Sequence, residues 1–119
     1  MVDREQELEA LNVISMQMIL HAGDARNDVM EALKCCEEEE YDRAETLLEK
    51  ANKDIVASHK LQTETVQKEA RGEESIFSLL FAHAQDTLMT VKSEYELAKR
   101  LIRVFRRLDE KIDGKRDQS

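Results

Sequence analysis

The chain has 119 residues with no proline and only 3 glycines, so almost nothing interrupts a helix, and about half of it is Ala, Glu, Lys, Leu or Arg, the composition of long helices. Its net charge of −8 is uneven: residues 1–98 hold 10 Lys/Arg against 22 Asp/Glu, and residues 99–119 hold 8 against 4. The acidic body repels a polyphosphate backbone and no basic stripe is interleaved with aromatics, which excludes nucleic acid as a partner. Asp3, Arg4, Glu5, Glu7 and Glu9 occupy the place of an apolar signal core. No segment has the roughly 18 uncharged apolar residues that cross a bilayer. A cytoplasmic chain with no direct membrane insertion is expected.

Leu8, Leu11, Met18, Ala22, Ala25, Val29 and Ala32 recur at helical spacing and predict a first helix over about 3–36. Gly23 lies inside it, where glycine is about 1 kcal/mol worse than alanine, so close approach of a neighbouring helix is expected there. Cys35-Cys36 has no metal-ligand spacing and reads as two reduced thiols at the helix end. The like charges Glu37 to Glu40 suit a turn. Tyr41, Ala44, Leu48, Ala51, Ile55 and Leu61 then predict a second helix over 41–70, with Gly72 in the C-terminal capping position. Ser75 is the expected N-cap of a third helix over 75–111, and the tail 112–119 is expected to be disordered. The fold class is an all-α antiparallel three-helix bundle in one domain.

Residues 75–91 contain one carboxylate, Asp86, and no Lys or Arg, in a chain that is 37% charged. Ile76, Phe77, Leu79, Leu80, Phe81, Leu88, Met89 and Val91 point all round the helix, whereas a lone bundle needs only a stripe. Self-association through the third helix is therefore expected, with the number of copies left open. Within this segment His83, Asp86, Thr87 and Thr90 share a face, with Gln85 beside them. A buried Asp86 needs a network, a proton or a metal ion. Copies of Asp86 at a symmetry axis make a ring of oxygen ligands for a hard cation such as magnesium or calcium; a protonated Asp86 is the alternative. His83, one turn from a carboxylate and hydroxyls, has the setting of a phosphoryl-accepting nucleophile, with Gln85 and Thr87 as candidate phosphoryl contacts. His21 and His59 lack that setting and read as surface or packing residues.

The segment FAHAQDTLMT at 81–90 resembles the active-site segment of the lactose/cellobiose-type enzyme IIA family of the phosphoenolpyruvate-dependent sugar phosphotransferase system. ILHAGDAR at 19–26, EEYDRAETLLEKA at 39–51 and SHKLQTETVQKEARGE at 58–73 extend the resemblance over roughly residues 8–108. It implies a homotrimer, a nine-helix bundle, in which His83 takes a phosphoryl group from the histidine phosphocarrier protein. His83 would pass it to a cysteine of the IIB component during sugar uptake through the membrane component IIC, and Asp86 would hold one divalent cation per trimer at the axis. The sugar expected is of the β-glucoside, cellobiose or lactose class. Two departures stand out. Thr87 replaces a second histidine common in the family, and glutamate precedes Tyr41 where the family usually has a glycine-aspartate pair.

The rival readings are a non-catalytic helical adaptor, because YDRAETLLEKA also looks like half of a tetratricopeptide, and a two-component histidine-phosphotransfer domain. No second copy of a roughly 34-residue repeat supports the adaptor. The basic stretch Lys99, Arg100, Arg103, Arg106, Arg107 and Lys111 reads as a helix C-terminus with a solvated face. Partner docking through Arg103 and Arg106 is the alternative.

Overall fold

The computed structural model describes residues 3–73 and 76–118, which form three helices: α1 (Arg4–Glu37), α2 (Tyr41–Ala70) and α3 (Leu79–Gln118). Their buried positions advance by alternating steps of three and four: Leu11, Ser15, Met18, Ala22, Ala25 and Val29 on α1, Ala44, Leu48, Ala51, Ile55 and Ser58 on α2, and Phe81, Ala84, Leu88, Val91, Tyr95, Ala98 and Ile102 on α3. A mean step of about 3.5 residues keeps one seam facing its partners and drives left-handed supercoiling. Alanine at six of these positions lets the backbones approach, and Met18, Val29, Leu88 and Ile102 fill the space between them. Seryl groups within the seam are satisfied: Ser15 Oγ donates to the Leu11 carbonyl at 2.8 Å, and Ser58 Oγ donates across to the Met18 carbonyl at 3.0 Å.

The polar ties between helices fix the topology as up-down-up. His21–Asp54 and Lys50–Asp28 run α1 antiparallel to α2, whereas Ser78–Asn12 and Arg26–Glu94 run α3 parallel to α1. The result is a rod of 77 × 21 × 18 Å, in which α2 and α3 share the smallest contact of the three pairs.

Both helix junctions after α1 and α2 close with the same hydrogen-bond pattern. After α2, the N–H of Gly72 donates to the Glu69 carbonyl and that of Glu73 to the Lys68 carbonyl, with Gly72 at φ +74°. After α1, the N–H of Glu39 donates to the Cys36 carbonyl and that of Glu40 to the Cys35 carbonyl, with Glu39 at φ +60°. This pairing needs a left-handed residue at its pivot, which glycine adopts freely and a glutamate adopts at a cost of about 1 kcal/mol. Glutamate at that place thus strains the turn and leaves its topology unchanged.

The third helix departs from expectation at both ends. It starts at Leu79, and Ser75, expected as the N-cap, lies outside the described residues. Ser78 does the capping, accepting from the Phe81 N–H at 3.1 Å while donating to Asn12 Oδ1 at 3.1 Å. At the other end the helix does not stop near Lys111; residues 112–118 are helical, not disordered. No proline breaks the segment, and Lys115 and Arg116 in the last turn complement the helix dipole. Gly23 differs as well: a Cβ built there meets nothing within 4 Å, so no helix of this chain packs close against it.

A cluster at the foot of the rod pins α3 to the α1–α2 turn. Arg106 spans Asp42 at 2.7 Å and Glu45 at 3.1 Å, its guanidinium lies 6.0 Å from the Tyr41 ring centroid, and Tyr41 donates its hydroxyl to Asp109. That hydrogen bond, then burial and the negative charges around it, push the Tyr41 phenol well above its ordinary range.

Three outcomes are expected in urea unfolding. Glu39→Gly raises stability by about 1 kcal/mol by relieving the left-handed glutamate. Met18→Ala lowers it by about 2–5 kcal/mol through the cavity it leaves. A phenol whose folded pKa is raised stabilises fully below the unfolded value of about 10 and loses that contribution as pH rises further. Stability therefore falls at alkaline pH, and Tyr41→Phe makes the fall shallower, with Tyr95 and Cys36, both raised chiefly by burial, contributing to what remains.

Candidate active site

Because α3 spends one side of its heptad pattern on the core, the opposite side carries Leu79, His83, Asp86, Thr90 and Leu97 in a single line, all exposed. Gln85 and Thr87 flank this line and are half-buried. An apolar segment predicts that these polar groups are buried. Within one chain they are not, because α1 and α2 cover only the face defined by Phe81, Ala84, Leu88 and Val91. The apolar residues between them are bare too: Phe77 is 81% exposed, Leu79 76% and Met89 62%.

The hydroxyls one turn from His83 and Asp86 do not reach their side chains. Thr87 Oγ1 donates to the His83 carbonyl at 2.9 Å and Thr90 Oγ1 to the Asp86 carbonyl at 2.7 Å. Hydroxyls one turn along a helix find the carbonyl of residue i−4 more cheaply than any side chain. Among the described residues the His83 imidazole and the Asp86 carboxylate have no hydrogen-bond or ion-pair partner. Both are thus presented outward from a rigid helix.

Two ties that spacing alone does not single out hold this segment in place. Below it, Ser78 bonds Asn12; above it, Arg26 Nε and Nη2 clasp the Glu94 carboxylate at 3.2 and 3.0 Å. The 81–90 segment is bracketed between them and cannot slide along α1. Arg26 belongs to ILHAGDAR, but its partner 68 residues away has no local signal.

The other histidines stand apart from the site: His21 Nδ1 lies 2.9 Å from Asp54 Oδ1, and His59 is exposed beside Thr63. Arg106, considered for docking, is taken up by Asp42, Glu45 and Glu110, and Asp42 first, then Glu45, hold its guanidinium above the usual arginine range. Arg103 is about 30 Å along the helix from His83 at 1.5 Å per residue. Among the described residues no three His, Cys, Asp or Glu side chains converge within this chain to hold a metal. Asp86 offers one uncommitted carboxylate, so a cation held there would have to draw its remaining oxygen ligands from other copies or from water. No helix among the described residues is long and apolar enough to cross a membrane.

An outward imidazole on a three-helix rod is shared by more than one class of protein, and comparison with known proteins separates them. A family model described as "PTS system, Lactose/Cellobiose specific IIA subunit" matches residues 13–106. The chain belongs to this family and is a phosphotransferase-system component of sugar transport, which sets aside the adaptor and two-component readings. The oligo-beta-mannoside-specific EIIA component of Bacillus subtilis (strain 168) is 41% identical over 93 residues, 78% of this chain and 84% of that protein. The crystal structure of the cellobiose-specific enzyme IIA from Bacillus anthracis superposes with a TM-score of 0.78 at 36% identity, covering 93% of this chain and 96% of that one. A solution structure of the IIA(Chitobiose)-HPr complex of the N,N'-diacetylchitobiose branch of the Escherichia coli phosphotransferase system superposes at 0.73 with 27% identity, covering 83% and 96%.

Glu94→Ala leaves Arg26 without its carboxylate. A stability loss of about 1 kcal/mol is expected, larger in low salt than in high, by thermal unfolding at two ionic strengths.

Proposed function

We propose that His83 accepts a phosphoryl group from the histidine phosphocarrier protein and passes it to a cysteine of a cognate IIB component, feeding uptake of a β-linked disaccharide or oligosaccharide through a membrane component IIC. The observation that carries this reading is the uncommitted, exposed His83 imidazole within FAHAQDTLMT, on a helix of a chain that belongs to the IIA family. The relative solved in complex with HPr supports the upstream partner. In the first transfer a P–N bond to the donor histidine breaks as a P–N bond to His83 forms; in the second, that bond breaks as a P–S bond to the IIB cysteine forms. The transferring group has little need of covalent help, so the chain's task is to place one ring nitrogen in line and offer donors to the phosphoryl oxygens. Gln85, two residues on and turned to the other flank of α3, would offer its amide only across a contact between copies. Thr87 gives its hydroxyl to the His83 carbonyl in the unphosphorylated chain and must turn from it to reach a phosphoryl oxygen.

The bare line Leu79–Asp86–Leu97 supports assembly as a homotrimer with the three α3 helices parallel at the centre. Such packing covers the apolar residues that a lone chain leaves in water. It brings three Asp86 carboxylates together, and oxygen ligands of that number suit one magnesium or similar divalent cation, which would neutralise their mutual repulsion. The absence of a membrane-crossing helix among the described residues and the two unpaired cysteines fit a cytoplasmic subunit.

The test is to incubate the chain with phosphoenolpyruvate, enzyme I and the histidine phosphocarrier protein and to record its intact mass. One acid-labile phosphoryl increment, absent in His83→Ala, is the expected result. No increment with demonstrably active upstream proteins refutes the assignment. Asp86→Leu is expected to retain the trimer in sedimentation, because the apolar line remains and the carboxylate repulsion is gone; dissociation to monomers would show that a shared cation holds the assembly.

A further inference from the structure

The C-terminal third of α3 carries features that phosphoryl transfer at His83 does not use. Arg100, Arg103, Arg107 and Lys111 follow one another at steps of three and four, and all are exposed. None makes an ion pair among the described residues, although Arg106 between them makes three. At about 100° per residue they project from one flank of the Asp86–Leu97–Val104 line, the flank nearer α2. On the other flank, nearer α1, a cavity of about 490 Å³ is lined by Tyr41, Leu101 and Phe105 together with Glu37, Glu39 and Asp109. No lysine or arginine lines it. Burial first, then the negative charges of Asp109 and Glu37, pushes the Cys36 thiol up, and the charges mark the same negative field. Phe105 is half exposed there, in a position that a partner must cover to remove it from water.

These two surfaces stand at one height. The Tyr41–Asp109 hydrogen bond sets the α1–α2 turn level with Asp109, and Arg107 and Lys111 lie two residues either side of it, about 3 Å along the axis. In a closed ring of parallel copies, each copy turns one flank of α3 toward one neighbour and the other flank toward the next, and all copies share the same height. A basic stripe on one flank and an acidic, apolar cavity on the other are the two halves that such a heterologous contact requires.

We infer that the Arg100–Lys111 stripe of one copy docks onto the Glu37–Glu39–Asp109 cavity of the next, clamping the foot of the assembly. The inference rests on the ring of copies proposed above. Glu37, Glu39, Arg100 and Arg103 lie within the family match, and Arg107 and Lys111 lie beyond its end at residue 106. The clamp steers register through charge and excludes antiparallel pairing, in which the basic stripe would face the apolar end of the rod around Phe77.

Equilibrium sedimentation of the full chain in low salt tests it. The double variant R103E/R107E is expected to associate at least tenfold more weakly than the natural chain, and adding E37K/E39K to that variant restores association. Raising the salt weakens the natural chain's association and does so less for R103E/R107E. Unchanged association in R103E/R107E, or failure of the swapped quadruple variant to recover, overturns the clamp while leaving a ring of copies in place. A natural chain that stays monomeric at every concentration overturns ring and clamp together; phosphoryl capture by His83 is read separately, by mass.

Discussion

The structure depends on the heptad pattern of α3 having two sides and the chain supplying a partner for only one. Phe81, Ala84, Leu88, Val91, Tyr95, Ala98 and Ile102 spend the first side on α1 and α2. A helix flanked by two others has about half of its circumference left over, and in an ordinary bundle charged residues fill that half. Here, from Phe77 to Thr90, they do not. Burying another apolar side chain fully is worth about 1.5–3 kcal/mol, so Leu79, Met89 and Leu97 supply a driving force for association that the fold of one chain leaves unspent.

That constraint explains the placement of the chemistry. A labile phosphoryl group on an imidazole must be reachable by two successive protein partners and yet be kept from water. A histidine on the bare side of a helix is reachable, and in the proposed assembly walls added by neighbouring copies would limit water without closing the site. The ties Ser78–Asn12 and Arg26–Glu94 matter for the same reason: they lock the axial position of α3, so the imidazole stands at one height relative to whatever surrounds it. Both ties use side chains outside the 81–90 segment, which leaves His83, Gln85 and Asp86 free for external ligands.

Electrostatics divides the molecule along its length. The apolar and polar line around His83 has one charged group, Asp86, while the foot of the rod concentrates charge: Asp42, Glu45, Asp109 and Glu110 around Arg106, and a run of glutamates at the α1–α2 turn. Charge at the foot is worth little per exposed pair, about 0–1 kcal/mol, but arranged as a stripe opposite an acid-lined cavity it directs which surfaces meet. On the functions proposed above the two ends would do separate work, transfer at one and ordering of copies at the other.

Much of this was legible in the residues. The absence of proline, the three and four spacing, the glutamate turn and Gly72 set α1 and α2 within a residue of their observed limits and the existence, though not the ends, of α3, and HAQD, in a segment whose one charged residue is Asp86, marked the candidate site. These are local properties, fixed by backbone geometry and side-chain period, so a sequence states them directly. What the sequence left open depended on partners far along the chain. Ser78 became the cap of α3 because Asn12 holds its hydroxyl, Arg26 found Glu94, Arg106 was claimed by Asp42 and Glu45, and the hydroxyls of Thr87 and Thr90 turned to backbone carbonyls. The burial assumed for His83 and Asp86 was read from composition, which says that a segment needs cover and not what covers it. Only the tertiary packing decided that, because two helices can shield one side of a third and no more.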